Sequence, residues 1–156
     1  MARVQGEIII ARPVEEVFDF AADERNEPGY NPRMVRAQQV SSGPVGAGTR
    51  FHTELRTMGR TMPMTVEFTR FERPRLLASK TTSSMMETAG ALSFDSVAAG
   101  TRMRWSWDVR PRGPLKLLTP LVGLLGRRQE RAIWSEFRRV LEARTEQTVG
   151  DRIAEG

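Results

Sequence analysis

Proton transfer inside an enclosed site needs a side chain that can hold or release a proton there, and this 156-residue chain offers few such groups. The sole histidine, His52, lies between Phe51 and Thr53. Neighbouring side chains of a strand point to opposite faces, so an inward Phe51 and Thr53 turn His52 outward; only a bulge would reverse that. Glu54, Glu67 and Asp108 fall on the same outward parity, which leaves the inner face without an evident acid pair, and no catalytic residue is assigned. Tyr30, the only tyrosine, precedes the strands in a loop, where it sits at the mouth of a site or lays its ring over the first helix. Gln129 and Glu136 border the apolar stripe of the final helix and either reach inward or decorate its exposed flank. Gln129 joins Tyr30 as a candidate for the mouth.

The inward parity does carry hydroxyls, at Thr53, Thr57, Ser79 and Thr81, which can orient a ligand but not ionise near neutral pH. With no cysteine and one histidine, and with no carboxylates clustered at ligand spacing, neither a metal nor any other cofactor is expected. Gly43, Gly46 and Gly48 form a turn between strands; a phosphate cradle would instead open a helix and carry a lysine anchor.

These side chains are positioned by an unusual order of elements. Val4, Gly6, Ile8 and Ile10 share one parity and read as a strand. Pro13, followed by Glu15 and Glu16, marks a helix start, and Val14, Val17, Phe18 and Ala21 supply its buried stripe. Asp23 to Pro32 is a loop with at most a short helix. From Met34 to Val109 the period is two, broken by turn chemistry at Ser41–Pro44, Met58–Arg60, Glu72–Pro74 and Ala98–Gly100. On the last strand Arg102, Arg104, Ser106 and Asp108 alternate with Met103, Trp105, Trp107 and Val109, the pattern of an antiparallel sheet solvated on one face.

A long helix then runs from about Pro114 to Arg144. Its apolar residues form two groups, Leu118, Leu121, Val122 and Leu125, then Ile133, Phe137, Val140 and Leu141, whose mean directions differ by roughly a quarter turn. The helix is expected to bend or twist between them, at Pro120 or Gly126. Residues 1–145 make one domain and 146–156 a flexible, polar tail.

The formal charge of +5 comes from arginine, Lys80 and Lys116 being the only lysines. The arginines are scattered and interleaved with glutamates, so the reading is a solvated surface and no nucleic-acid partner. The N-terminus is too short and too acidic for a secretory signal, and Leu115–Leu125 is about half the roughly 20 residues a spanning helix needs. A soluble, cytoplasmic protein is expected. Leu117 and Leu124 point away from the inner stripe. They either pack on the first helix and the Asp23 to Pro32 loop or form, over 115–128, a patch for peripheral contact with a membrane or a partner.

Several strings resemble the polyketide cyclase/dehydrase family of the START-like (SRPBCC) superfamily. They are Ile10-Ala11-Arg12-Pro13-Val14-Glu15-Glu16-Val17-Phe18-Asp19-Phe20, Asp23, Tyr30-Asn31-Pro32, Gly43 to Phe51, Gly100-Thr101-Arg102-Met103 and the proline-bearing, arginine-rich last helix. The likeness covers roughly residues 5–144 and implies an α+β helix-grip fold. In that fold a curved antiparallel sheet of about seven strands wraps a long C-terminal helix, with one or two short helices after the first strand. It also implies a cavity between sheet and helix. The inward residues then become its lining: Phe51, Thr53 and Leu55; Val66 and Phe68; Thr81; Leu92 and Phe94; Met103, Trp105 and Trp107; and, from the helix, Leu118, Val122 and Leu125. Phe68, Phe94 and Trp107 can equally be core, whereas Met103, Trp105 and Leu125 lie near the expected middle. The implied partner is a hydrophobic small molecule such as a lipid, polyketide or isoprenoid, bound or transported without turnover. A cyclase or dehydratase, and a membrane- or protein-docking module, are the alternatives. Oligomeric state is left open.

Overall fold

Strand alternation becomes a single antiparallel sheet in the computed structural model, which describes residues 1–154 and the side chains of residues 1–144. The strands are β1 (Ala2–Ile10), β2 (Met34–Gln39), β3 (Arg50–Thr57), β4 (Arg60–Glu72), β5 (Leu76–Thr82), β6 (Met86–Val97) and β7 (Gly100–Pro111). Their order across the sheet is β1-β7-β6-β5-β4-β3-β2, so β1 and β2 form its two edges. After β1 come α1 (Val14–Ala21) and a 3-10 turn, Glu24–Gly29; after β7 come a second 3-10 turn, Gly113–Leu118, and α2 (Thr119–Ala154). This is the α+β helix-grip arrangement.

Local chemistry explains the joints. β3 and β4 are linked by Met58-Gly59 with positive φ at both, 51° and 73°, the tight turn whose twist matches the strands it joins. The α1 start is set by Pro13, which needs no donor there, and by the acidic Glu15 and Glu16. Thr101, fully buried, donates its hydroxyl to the Arg12 carbonyl at 2.7 Å and ties β7 to the entry of α1. Asn31 is likewise buried, donating to Glu27 at 3.0 Å and accepting from the Arg33 amide at 3.2 Å.

One face of the sheet is filled at its α1 end. Phe18 meets Phe71 and Phe94 edge-on at 5.2 Å each, and Phe51 lies 5.4 Å from Phe68. Phe71 reaches this face because β4 carries a bulge between Phe68 and Arg70, which switches the parity of everything after it. Ile133, Trp134, Phe137 and Leu141 of α2 close the core from above.

The final helical segment departs from expectation. Instead of one bent helix from Pro114, a 3-10 turn gives way to α2 at Thr119, and Pro120 stands in the first turn of α2, where its missing N–H removes no internal bond. The tail expected over 146–156 lies outside the residues whose side chains are described. Among the described residues no helix is long and apolar enough to cross a membrane.

Candidate functional site

Two glycines let two indoles lie against the inner sheet face. Gly6 pairs with Trp105 across β1 and β7, and Gly90 pairs with Trp107 across β6 and β7. A Cβ at Gly6 would stand 2.4 Å from Trp105 Cζ2, and one at Gly90 would stand 2.9 Å from Trp107 Cε3 and 1.9 Å from the Ser106 carbonyl oxygen. A methyl group at Gly6 would displace an indole, and one at Gly90 would also press on backbone. Trp105 is therefore buried flat beneath α2, 6.1 Å from Trp134, while Trp107 stays half-buried nearer the other end of the sheet.

Above the indoles sits Glu130. Its position on α2 is one turn before Trp134 and seven residues before Phe137, on the inward side of the helix. Trp134 Nε1 donates to Glu130 Oε2 at 2.7 Å, and Trp107 Nε1 donates to the same oxygen at 3.1 Å. Among the described residues, no donor reaches Oε1. Burial pushes the carboxyl up to about 7; the two indoles oppose that shift, and nearby Glu27 adds to it. A carboxyl poised there can exist in either protonation state near neutral pH.

The 3-10 turn after α1 faces this group. Glu24 is held well above the ordinary carboxylate range by burial and by Glu27 beside it. The Tyr30 phenol is raised well above its usual value by burial, with Glu27, Glu24 and Glu130 adding repulsion. Tyr30 is buried, with its ring 4.9 Å from Phe137 and 6.0 Å from Trp134, so it packs between the turn and α2. Among the described residues, no group of acidic and imidazole side chains is arranged to hold a metal ion.

The other expected lining residues divide by depth. Phe51, Thr53, Val66, Phe68, Leu92, Phe94 and Met103 are buried, and Leu55, Thr81, Val122 and Gln129 are half-buried. Thr53 is the polar exception in the first group: its Oγ1 is buried with no hydrogen-bond partner. Leu118 and Leu125 differ from expectation, being 49% and 55% exposed. The side of α2 that meets β1 is instead that of Gly123 and Gly126, where a Cβ would lie 3.1 Å from Ala2 Cβ and 3.2 Å from Val4 Cγ2. Small residues bring the helix close, and Leu121, Leu124 and Leu125 of α2, roughly 130° or more around it, are turned out.

His52 stands on the outer face, 3.6 Å from Glu54, and Asp108, also outward, pairs with Arg3 at 3.1 Å. Glu67 is exposed. Glu136 pairs with Arg139, whose guanidinium holds the carboxyl below its usual value. The expectation of an inner face without acids is thus corrected at one place, Glu130. Its embedding in Arg127-Arg128-Gln129-Glu130-Arg131 disguises it as surface charge; the spacing to Trp134, Phe137 and Leu141 was the available signal. Surface depressions of about 190 Å³ beside Lys80, Glu87 and Arg110, and of about 510 Å³ beside Glu16, Phe20 and Arg144, are lined by none of these inward residues.

A family model described as polyketide cyclase / dehydrase and lipid transport matches residues 1–142. No curated protein matches the chain. Among solved structures, an aromatase/cyclase from Streptomyces sp. R1128 superposes with a TM-score of 0.77 at 15% identity, over 92% of this chain and 94% of that one. A protein from Thermus thermophilus gives 0.73 at 22% identity, over 90% and 98%. A START superfamily protein from Mycobacterium smegmatis gives 0.72 at 13% identity, over 95% and 99%. At these identities the likeness is one of fold.

Proposed function

The chain belongs to the polyketide cyclase / dehydrase and lipid transport family, and from that premise we propose that it binds a hydrophobic small molecule on the concave face beneath α2 without transforming it. The observation that carries this reading is the uneven filling of that face. At the α1 end it is closed by aromatic packing. Towards the other end Leu55, Met62, Met64, Thr81, Thr88 and Trp107 stay half-buried, an apolar surface set with hydroxyls that the protein's own side chains leave accessible. Such a surface suits a lipid, polyketide or isoprenoid-like guest fixed by a few polar atoms, such as the half-buried Thr81 and Thr88 hydroxyls. Native mass spectrometry of gently extracted protein, with displacement of a fluorescent fatty acid, tests it: a retained apolar mass and competitive displacement are expected. Protein free of any adduct that also ignores the probe defeats it.

Two further observations extend the reading. Leu117, Leu118, Leu121, Leu124 and Leu125 are exposed, and residues 109–129 hold five cations, Arg110, Arg112, Lys116, Arg127 and Arg128, without one acid. That combination fits loading and unloading at an anionic membrane surface. The cyclase or dehydratase alternative draws its support from Glu130, the group able to exchange a proton under α2. Recovery of the co-purified ligand unchanged after prolonged incubation favours the carrier; conversion abolished by Glu130→Gln favours the enzyme.

A further inference from the structure

We propose that Glu130 is the polar anchor of the binding face, and that its Oε1 donates a hydrogen bond to a ketone or other uncharged carbonyl oxygen at one end of the apolar ligand. This rests on the concave face being the ligand site and adds which functional group the ligand carries. The asymmetry of the carboxyl is the argument. Both indole donors, from β7 and from α2, converge on Oε2, so that oxygen is committed as an acceptor. A proton taken up by the group therefore resides on Oε1, which no described side chain engages. The protonated carboxyl is then a donor aimed away from the indoles, fixed in direction by two hydrogen bonds rather than free to rotate.

The surroundings favour an uncharged acceptor over an anion or a cation. The titratable groups facing Glu130 are Glu27, Glu24 and Tyr30, all from the 3-10 turn and its end, and β7 contributes only the Trp107 indole. A carboxylate ligand would meet these acids, and among the described residues no base is paired with Glu130. An ammonium ligand would need an ionised Glu130, the form that burial disfavours. A carbonyl accepts the one proton the site offers and leaves its apolar remainder against Trp107, Thr81 and Met64.

Because the donor exists only while Glu130 is protonated, ligand affinity must fall as pH rises through the titration of that group. Glutamine is the decisive substitution. Its carbonyl can accept from both indoles while its amide N–H₂ occupies the Oε1 position, so Glu130→Gln mimics the protonated acid at every pH. The probe is 6-propionyl-2-dimethylaminonaphthalene, an uncharged fluorescent ketone, beside 2-dimethylaminonaphthalene, which lacks the carbonyl. For the wild type the Kd of the ketone is expected to rise about 30-fold between roughly pH 5.5 and pH 8.5, the change in protonated fraction for a group titrating near 7. The Glu130→Gln protein is expected to bind the ketone at the low-pH affinity throughout, and the ketone-free probe to show no such dependence on either protein. Trp107→Phe, which keeps the ring but removes one donor to Oε2, is expected to move the midpoint to higher pH, a shift that a merely structural role would not produce. Ketone binding that is flat with pH in the wild type overturns the anchor while leaving ligand binding intact. Failure of both probes to bind at any pH overturns the binding face itself.

Discussion

Trp107 of β7 and Trp134 of α2 donate to one and the same atom, Glu130 Oε2, from 3.1 and 2.7 Å. The shared acceptor ties the helix to the sheet at the point where the filled core ends and the accessible face begins. Replacing Trp107 by Phe keeps the apolar ring and removes the tie. Hydrogen bonds to ionised groups contribute about 1.5–3 kcal/mol and neutral ones about 1, so Trp107→Phe should destabilise more at about pH 8.5 than at about pH 5.5. Urea midpoints at the two pH values check this.

Stability should fall with rising pH through Glu130. Its carboxyl lies at about 7 in the folded protein against an ordinary 4.5, so the folded state holds the proton more tightly. The stabilisation from that proton is fully present below 4.5 and is lost as pH climbs through about 7, with a ceiling of about 3 kcal/mol for a group this far shifted and less for one in partial contact with water. Glu24, raised in the same direction, contributes a slope of the same sign. Denaturant unfolding across this range should show a steeper decline for the wild type than for Glu130→Gln; parallel curves would remove Glu130 as the cause.

Gly6→Ala and Gly90→Ala should each disturb a tryptophan. The added methyl at Gly6 meets an indole edge, which can tilt, whereas at Gly90 it also meets the Ser106 carbonyl, which is backbone. Overpacking costs about 1–3 kcal/mol, with Gly90→Ala the more severe. Loss of near-ultraviolet circular dichroism at otherwise normal far-ultraviolet signal is the expected signature.

Phe137 is fully buried between Tyr30, Phe20 and Trp134. Phe137→Ala should cost about 3–5 kcal/mol, measured by chemical denaturation, and should loosen α2 from the turn that carries Glu24 and Glu27.

Leu117 and Leu124 are 86% and 60% exposed. Leu117→Glu and Leu124→Glu should therefore change stability by no more than about 0.5 kcal/mol while reducing co-sedimentation with vesicles containing phosphatidylserine. Unchanged pelleting would count against membrane contact at this surface.

The fold was legible because period-two alternation survives over most of β3 to β7 and because one long helix after so many strands has few ways to bury its apolar side. Where the reading failed, a local event cancelled the periodicity. The bulge after Phe68 turns Phe71 inward, a switch that alternation from Val66 and Phe68 does not show. On α2 hydrophobicity pointed to the leucines, yet close approach to β1 selected Gly123 and Gly126, and amphipathicity alone cannot weigh contact distance against side-chain size. Glu130 is hard to read from the sequence because three arginines flank it, although its carboxyl turns to the indoles of Trp107 and Trp134.

The open ladder has a mechanical consequence. Since β1 and β2 never pair with each other, the sheet is closer to a cupped palm than to a sealed can. Its two rims are joined to each other only through the five strands between them and the elements packed on them. On the proposed reading, an apolar guest would rest against an open rim and not inside a closed ring, so that the chemistry of the contact, more than a fixed internal diameter, would set selectivity.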